Sequence, residues 1–155
     1  MDACRILVVD DEPDLEQLVL QRMRREIRGG RYSFVFARNG VEALERLSGD
    51  DEIDVVITDI NMPEMDGLTL LEQIPAHAPR YSCMVVSAYG DLKNVRTAMN
   101  RGAFEFVTRP IDFEDLWIAV DRTLEDLTML RETLWARDKL LHVHRGHPRL
   151  LSATA

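Results

Sequence analysis

Cysteine is scarce: the 155-residue chain has two, Cys4 and Cys83, both in apolar strand-like runs. Two cysteines alone cannot hold a metal or build a disulfide framework, so free buried thiols in a reducing compartment are expected. Lysine is equally scarce, with only Lys93 and Lys139 against 17 Arg. A long apolar stretch near the N-terminus is missing. Ile6 to Val9 is four residues, too short for a signal peptide or a membrane span of about 20 residues, which predicts a cytoplasmic protein. Net positive charge is also missing. The chain carries −8, with −9 in residues 1–120 and +1 in residues 121–155. An acidic surface repels a phosphate backbone, so direct nucleic-acid binding is not expected. Gly and Pro show no collagen-like period, and no low-complexity tract or internal repeat occurs. What is present is a globular composition, 46% hydrophobic and 30% charged. A chain of this length can bury about two-thirds of its unfolded surface.

Strand-like and helix-like segments alternate five times. Apolar runs predict strands over Ile6–Val9, Tyr32–Ala37, Ile53–Thr58, Cys83–Ser87 and Ala103–Val107. Between them lie helical patterns. The first runs from Pro13 to Ile27 and stops at Gly29-Gly30. The second follows Asn39-Gly40 with Val41, Leu44 and Leu47 on its inner face. The third spans Gly67–Ile74 before Pro75. The fourth spans Asp91–Arg101, with Leu92, Val95 and Met99 inward and Gly102 after it. Buried apolar strands alternating with helices predict an α/β fold: a flavodoxin-like, doubly wound, five-stranded parallel sheet of order 2-1-3-4-5. A last helix begins near Phe113 and is too long for one domain. Phe113, Trp117, Val120, Leu124 and Leu127 continue the packed face, and Leu127, Leu130, Leu134 and Leu141 resemble a short coiled-coil seam, with Arg137 at the remaining heptad place. These patterns divide the chain into a domain over 1–122, a helical extension over 123–147 and a tail over 148–155 after Gly146 and Pro148.

In such a sheet, ligands bind outside the carboxyl ends of the strands. Those ends carry Asp10 and Asp11, Asp59, Ser87 and Arg109. Clustered carboxylates need a counter-charge to stay ionised. A hard divalent cation such as Mg²⁺ suits them, and a hydroxyl and a cation beside it suit a phosphoryl group. Taken singly, Asp10-Asp11 reads as a helix N-cap pair, Asp59 as turn chemistry and Ser87 as a cap.

Four ordered blocks carry a specific resemblance: Val8-Val9-Asp10-Asp11-Glu12-Pro13, Thr58-Asp59-Ile60-Asn61-Met62-Pro63-Glu64-Met65-Asp66-Gly67, Val85-Val86-Ser87-Ala88-Tyr89-Gly90, and Gly102 through Pro110. Over about residues 3–122 the chain resembles the response-regulator receiver domain of two-component signalling. The resemblance implies that Asp59 is the phospho-acceptor and that Asp10, Asp11, Asp59 and the Asn61 carbonyl form the Mg²⁺ site, Asp11 binding the metal directly and Asp10 helping to position it. Ser87 would be the switch hydroxyl and Phe106 the switch aromatic, at once a core residue. The Arg109–Pro110 bond matches a position that is usually cis. The implied partners are a histidine kinase or a histidine phosphotransfer protein, a possible homodimer through the last helix, and an unknown downstream output. The implied chemistry is self-phosphorylation and self-dephosphorylation rather than turnover of a separate substrate. In related proteins similar helices lead into cyclase or phosphatase domains; residues 123–147 are too few for one, so a stand-alone relay or a fragment is expected.

Arg109 departs from the pattern, which has Lys there. Arg109 is the implied phosphoryl-binding cation: a bidentate guanidinium still binds phosphate, but it is planar and forked, so the exchange is not conservative at a tight site and a weakened or altered switch is the sharper reading. The alternative reading is therefore a pseudo-receiver, a phosphorylation-independent interaction or dimerisation module. An aspartyl phosphatase is disfavoured because the first strand ends in Asp10-Asp11-Glu12-Pro13 rather than Asp-x-Asp. A flavin protein is disfavoured because Gly29-Gly30 ends a helix rather than opening one. Arg22, Arg24, Arg25, Arg28 and Arg31 read as a solvated helix end. His142, His144 and His147 read as exposed side chains, and Asn61 and Tyr89 as residues flanking the site.

Overall fold

A computed structural model describes residues 3–74 and 80–146, with side chains to 141. The expectations for Pro75, Pro148, the 148–155 tail and the three C-terminal histidines lie outside what is described. Five parallel strands, β1 (Cys4–Val9), β2 (Tyr32–Ala37), β3 (Val55–Asp59), β4 (Ser82–Ser87) and β5 (Glu105–Thr108), form one sheet in the order β2-β1-β3-β4-β5. This is the expected topology. The helices are α1 (Leu15–Arg22), α2 (Arg24–Arg28), α3 (Gly40–Gly49), α4 (Gly67–Gln73), α5 (Leu92–Asn100) and α6 (Phe113–Gly146).

The central strands β1, β3 and β4 are largely apolar because both faces are covered, and their period-two alternation sorts residues between two cores. Leu7, Val9, Val56 and Val85 face one side with Ala43, Leu47, Leu70, Leu71 and Ala98. Ile6, Val8, Val55, Ile57, Met84 and Val86 face the other with Val19, Met23, Leu116, Ala119 and Val120. The register places Val9 beside Thr58, Asp59 beside Val86 and Ser87 beside Thr108. The carboxyl ends of β1, β3, β4 and β5 therefore lie together.

Several local expectations are corrected. Pro13 is not in the first helical turn: Asp14 is the N-cap of α1. The Asp10 carboxylate accepts the Glu12 N–H at 2.9 Å, and this Asx-type turn delays the helix. The expected single helix to Ile27 is two, broken at Met23 (φ −104°, ψ 17°). The Met23 N–H still donates to Val19 and its carbonyl still accepts from Ile27, both at 2.9 Å, so the break is local. No Gly or Pro marks it. On α3 the buried residues are Gly40, Ala43 and Leu47, and Val41 is exposed. On α5 they are Val95 and Ala98, with Leu92 and Met99 exposed. In both helices alanine takes an inner position that side-chain size alone assigns to larger neighbours. Ala103 precedes β5 and closes α5, its N–H donating to Ala98 at 3.1 Å. Both cysteines are free, but only Cys83 is buried; Cys4 is half-buried. Burial pushes both thiols up to about 12, so neither is a ready thiolate.

The helix α6 is continuous across residues 122 and 123. Thr123 and Leu127 are buried, and Arg131 donates to Asp54 at 2.9 Å and to the Arg80 carbonyl. Beyond that point Trp135, Leu140 and Leu141 are exposed. Leu127→Ala is expected to cost ~2–5 kcal/mol of unfolding free energy in denaturant titrations, the range for emptying a buried Leu site. Leu141→Ala is expected to change it by less than ~0.5 kcal/mol.

Candidate functional site

The site begins where β1 and β3 stop. Asp10 follows β1, is 9% exposed, and precedes the exposed Asp11; Asp59 closes β3 and is 8% exposed. One carboxylate oxygen from each of these three lies within 4.8 Å of the other two. At the end of β5, the Arg109 backbone N–H donates to the Ser87 carbonyl at 2.9 Å, and the Arg109–Pro110 peptide is cis. The side chain reaches across the sheet edge. Its Nη2 donates to Asp10 Oδ2 at 2.6 Å and lies 3.2 Å from Asp59 Oδ2. A single guanidinium nitrogen bridges two carboxylates, and the closer is not Asp59 but Asp10.

The electrostatics of Asp59 follow from this crowding. Burial pushes its carboxyl up to about 6, the Asp10 charge pushes the same way, and Arg109 and the Asn61 backbone N–H oppose both. One cation does not balance three carboxylates. The donors are all oxygens, which is the set a hard divalent cation such as Mg²⁺ takes. The residues present therefore fit a Mg²⁺ site.

Ser87 is 1% exposed, and its Oγ finds no hydrogen-bond partner among the described residues. An unpaired buried hydroxyl costs ~1–3 kcal/mol. Phe106 is 40% exposed, so it is not the core residue expected; its ring stands outward on β5. Tyr89 is 87% exposed and covers nothing. Asn61 is exposed and reaches Asp59 through its backbone N–H.

Two site residues escaped the sequence reading of roles. Thr58 is fully buried, and its hydroxyl donates to the Asp59 carbonyl at 3.0 Å. Its only signal was its place before Asp59. Gly67 packs against the same backbone: its N–H donates to the Ile60 carbonyl at 2.9 Å, and a Cβ there would lie 2.2 Å from the Asp59 carbonyl oxygen. Asp66 then caps α4 by accepting the Thr69 N–H at 2.7 Å. The Asp66-Gly67 pair is thus both a helix start and a close approach.

Fold and site together define a doubly wound α/β domain whose carboxyl edge gathers three carboxylates around one guanidinium. The sequence profile of the "Response regulator receiver domain" matches residues 6–121, and the chain belongs to that family. It is 34% identical over 130 residues to the transcriptional regulatory protein GlrR of Escherichia coli K12, covering 84% of this chain and 28% of that protein. It is 34% identical over 142 residues to the regulatory protein AtoC of the same organism, covering 92% and 28%. The chain thus spans little more than a quarter of the curated relatives it matches. Among solved structures, a receiver domain protein from Clostridium thermocellum superposes with a TM-score of 0.68 at 31% identity, covering 82% of this chain and 98% of that one. NtrX from Brucella abortus superposes with a TM-score of 0.74 at 30% identity, covering 84% and 29%. Among the described residues, no helix is long and apolar enough to cross a membrane.

Proposed function

We propose that the chain is a working receiver: Asp59 accepts a phosphoryl group in a Mg²⁺-dependent reaction, and the domain relays that state to an output. The observation that carries this reading is the bridged carboxylate pair Asp10–Arg109–Asp59 with the unpaired Ser87 hydroxyl at the same edge. The Asp59 carboxylate oxygen attacks phosphorus, a P–O bond forms, and the bond from phosphorus to the donor nitrogen or oxygen breaks. Bound at Asp10, Asp11, Asp59 and the Asn61 carbonyl, Mg²⁺ would supply orientation and neutralise charge on the transferring group. Arg109 supplies further positive charge, and its fork suits phosphoryl oxygens. The acyl phosphate adds about −1.5 to −2 charge. Ser87 then turns its free donor toward the new oxygens, and the outward Phe106 ring can fill the space behind it. Two packings of one fold exchange populations.

The donor on this reading is a histidine kinase or a histidine phosphotransfer protein. A groove of about 610 Å³ lies beside Arg109, lined among others by Gln17, Leu18, Gln21 and Phe113. The chain acts on itself only, with no separate substrate, and works in the cytoplasm without contacting nucleic acid directly. The exposed Leu130 and Leu141 on α6 favour a linker or homodimer role for the extension.

The test is intact-mass spectrometry after incubation with Mg²⁺ and a small acyl-phosphate donor. The expected result is a gain of one phosphoryl group, abolished by chelator. Absence of a gain, together with an unchanged spectrum on adding beryllofluoride, would favour the pseudo-receiver, whose support is the guanidinium at Arg109.

A further inference from the structure

The Asp59 carbonyl oxygen lies where the sheet stops supporting it. Pairing of β3 with β1 ends at Thr58 opposite Val9, and pairing with β4 ends at Asp59 opposite Val86. The start of α4 closes over the same oxygen: a Cβ at Gly67 would lie 2.2 Å from it. A covered carbonyl still needs a donor, because a buried orphan costs as much as a lost hydrogen bond. The Thr58 hydroxyl is that donor, at 3.0 Å, on a fully buried side chain.

The peptide held in this way carries the site. Its own N–H, that of Ile60, donates to the Val86 carbonyl at 3.1 Å, and the Ile60 carbonyl accepts the Gly67 N–H at 2.9 Å. The next N–H, that of Asn61, turns back to the Asp59 carboxylate. Rotation of the Asp59–Ile60 peptide therefore moves the acceptor carboxylate and the Asn61 backbone together. Two buried hydroxyls thus meet this edge in different states. Ser87 Oγ has no partner among the described residues, whereas Thr58 Oγ1 is committed to backbone.

Resting on the proposed receiver function, we infer that Thr58 is a positioning residue for phosphoryl transfer: its buried hydroxyl locks the Asp59–Ile60 peptide and so sets where the Asp59 carboxylate and the Asn61 carbonyl point. Thr58 touches neither donor nor metal and acts through the backbone it holds. Without the hydroxyl, the Asp59 carbonyl loses its donor and the peptide rotates to find another. A displacement of about 1 Å at a reacting group costs about a hundredfold, so a partial rotation costs about tenfold.

Phosphoryl uptake is timed by intact-mass spectrometry, at fixed acyl-phosphate donor and saturating Mg²⁺, for the wild type, Thr58→Val, Thr58→Ser and Thr58→Ala. Val keeps the shape of threonine without its hydroxyl, and Ser and Ala differ only by a hydroxyl. Hydrogen exchange of the Ile60 amide in the metal-free proteins reads the lock without donor or metal, with the Ile57 amide of the same strand as reference. The expected result is uptake about tenfold slower in Val and Ala, with Ser close to the wild type. Ile60 exchange should quicken relative to Ile57 in Val and Ala and not in Ser. Ser as slow as Ala would assign the effect to packing of the methyl group and overturn the proposal. Undiminished uptake in folded Val or Ala protein overturns it too, as does slow uptake with Ile60 exchange unchanged relative to Ile57. If Val does not fold, the comparison of Ser with Ala decides. All these outcomes leave the receiver reading standing. That reading falls if the wild type takes up no phosphoryl group, and the positioning role falls with it.

Discussion

Asp59→Asn raises the stability of the metal-free protein at pH 7.5 by ~1–3 kcal/mol while abolishing phosphoryl uptake. The reason is the cost of keeping Asp59 ionised. Burial and the Asp10 charge push its carboxyl up to about 6 against the opposing pull of Arg109. A carboxyl whose folded pKa is raised favours folding when protonated. That contribution is full below the ordinary carboxylate range and is lost as pH rises through about 6. Thermal melts of the wild type across pH 4 to 8 should therefore show a fall in stability that the Asn variant lacks, with the two converging near pH 4. Millimolar Mg²⁺ should narrow the gap by balancing the carboxylates. Equal melts for the two proteins at pH 7.5 would mean that Asp59 carries no electrostatic load and would remove the case for a counter-ion. The same protonation should slow phosphoryl uptake below about pH 6, because a protonated carboxyl is not a nucleophile.

Gly67→Ala has the second large effect, and its origin is steric. The new Cβ would lie 2.2 Å from the Asp59 carbonyl oxygen, with Ile60 Cα at 3.0 Å. These are backbone atoms of the strand that carries the acceptor, so relief must move either α4 or Asp59. Forcing atoms into a packed interior costs ~1–3 kcal/mol, more where backbone must shift; we expect ~3 kcal/mol in denaturant unfolding. Phosphoryl uptake should fall beyond what stability alone explains, since a displacement of about 1 Å at a reacting group costs about a hundredfold. Gly49→Ala is the control: nothing lies within 4 Å of its added Cβ, so stability and uptake should both be nearly unchanged.

Much of this was legible in the residues, and the exceptions have physical reasons. The sheet order followed from apolar strands alternating with helices, because each apolar strand must be covered on both faces. Asp10, Asp11, Asp59, Ser87 and Arg109 were legible because strand ends in such a sheet converge. What escaped depended on packing partners. Ala43 and Ala98 are inward because the helices lie close to the sheet, and periodicity weighted by side-chain size favoured Val41, Leu92 and Met99. The break at Met23 has no composition signal. Phe106 is aromatic but stands outward, since a side chain on β5 is buried only if α5 or α6 covers it. The preference of Arg109 for Asp10 over Asp59 depends on how far a guanidinium reaches from the β5 edge. The hydrogen bond from Thr58 to the Asp59 carbonyl depends on the local rotamer, which a sequence pattern does not carry.

The central claim is that Asp59 is where the phosphoryl group goes. Its most direct test is borohydride reduction of protein treated with Mg²⁺ and an acyl-phosphate donor, followed by peptide mass mapping. Reduction turns an aspartyl phosphate into homoserine, which marks the residue permanently. The account predicts homoserine at Asp59 alone, dependent on both Mg²⁺ and donor. Label at Asp10 or Asp11 instead, or phosphorylated protein with Asp59 intact, would contradict it.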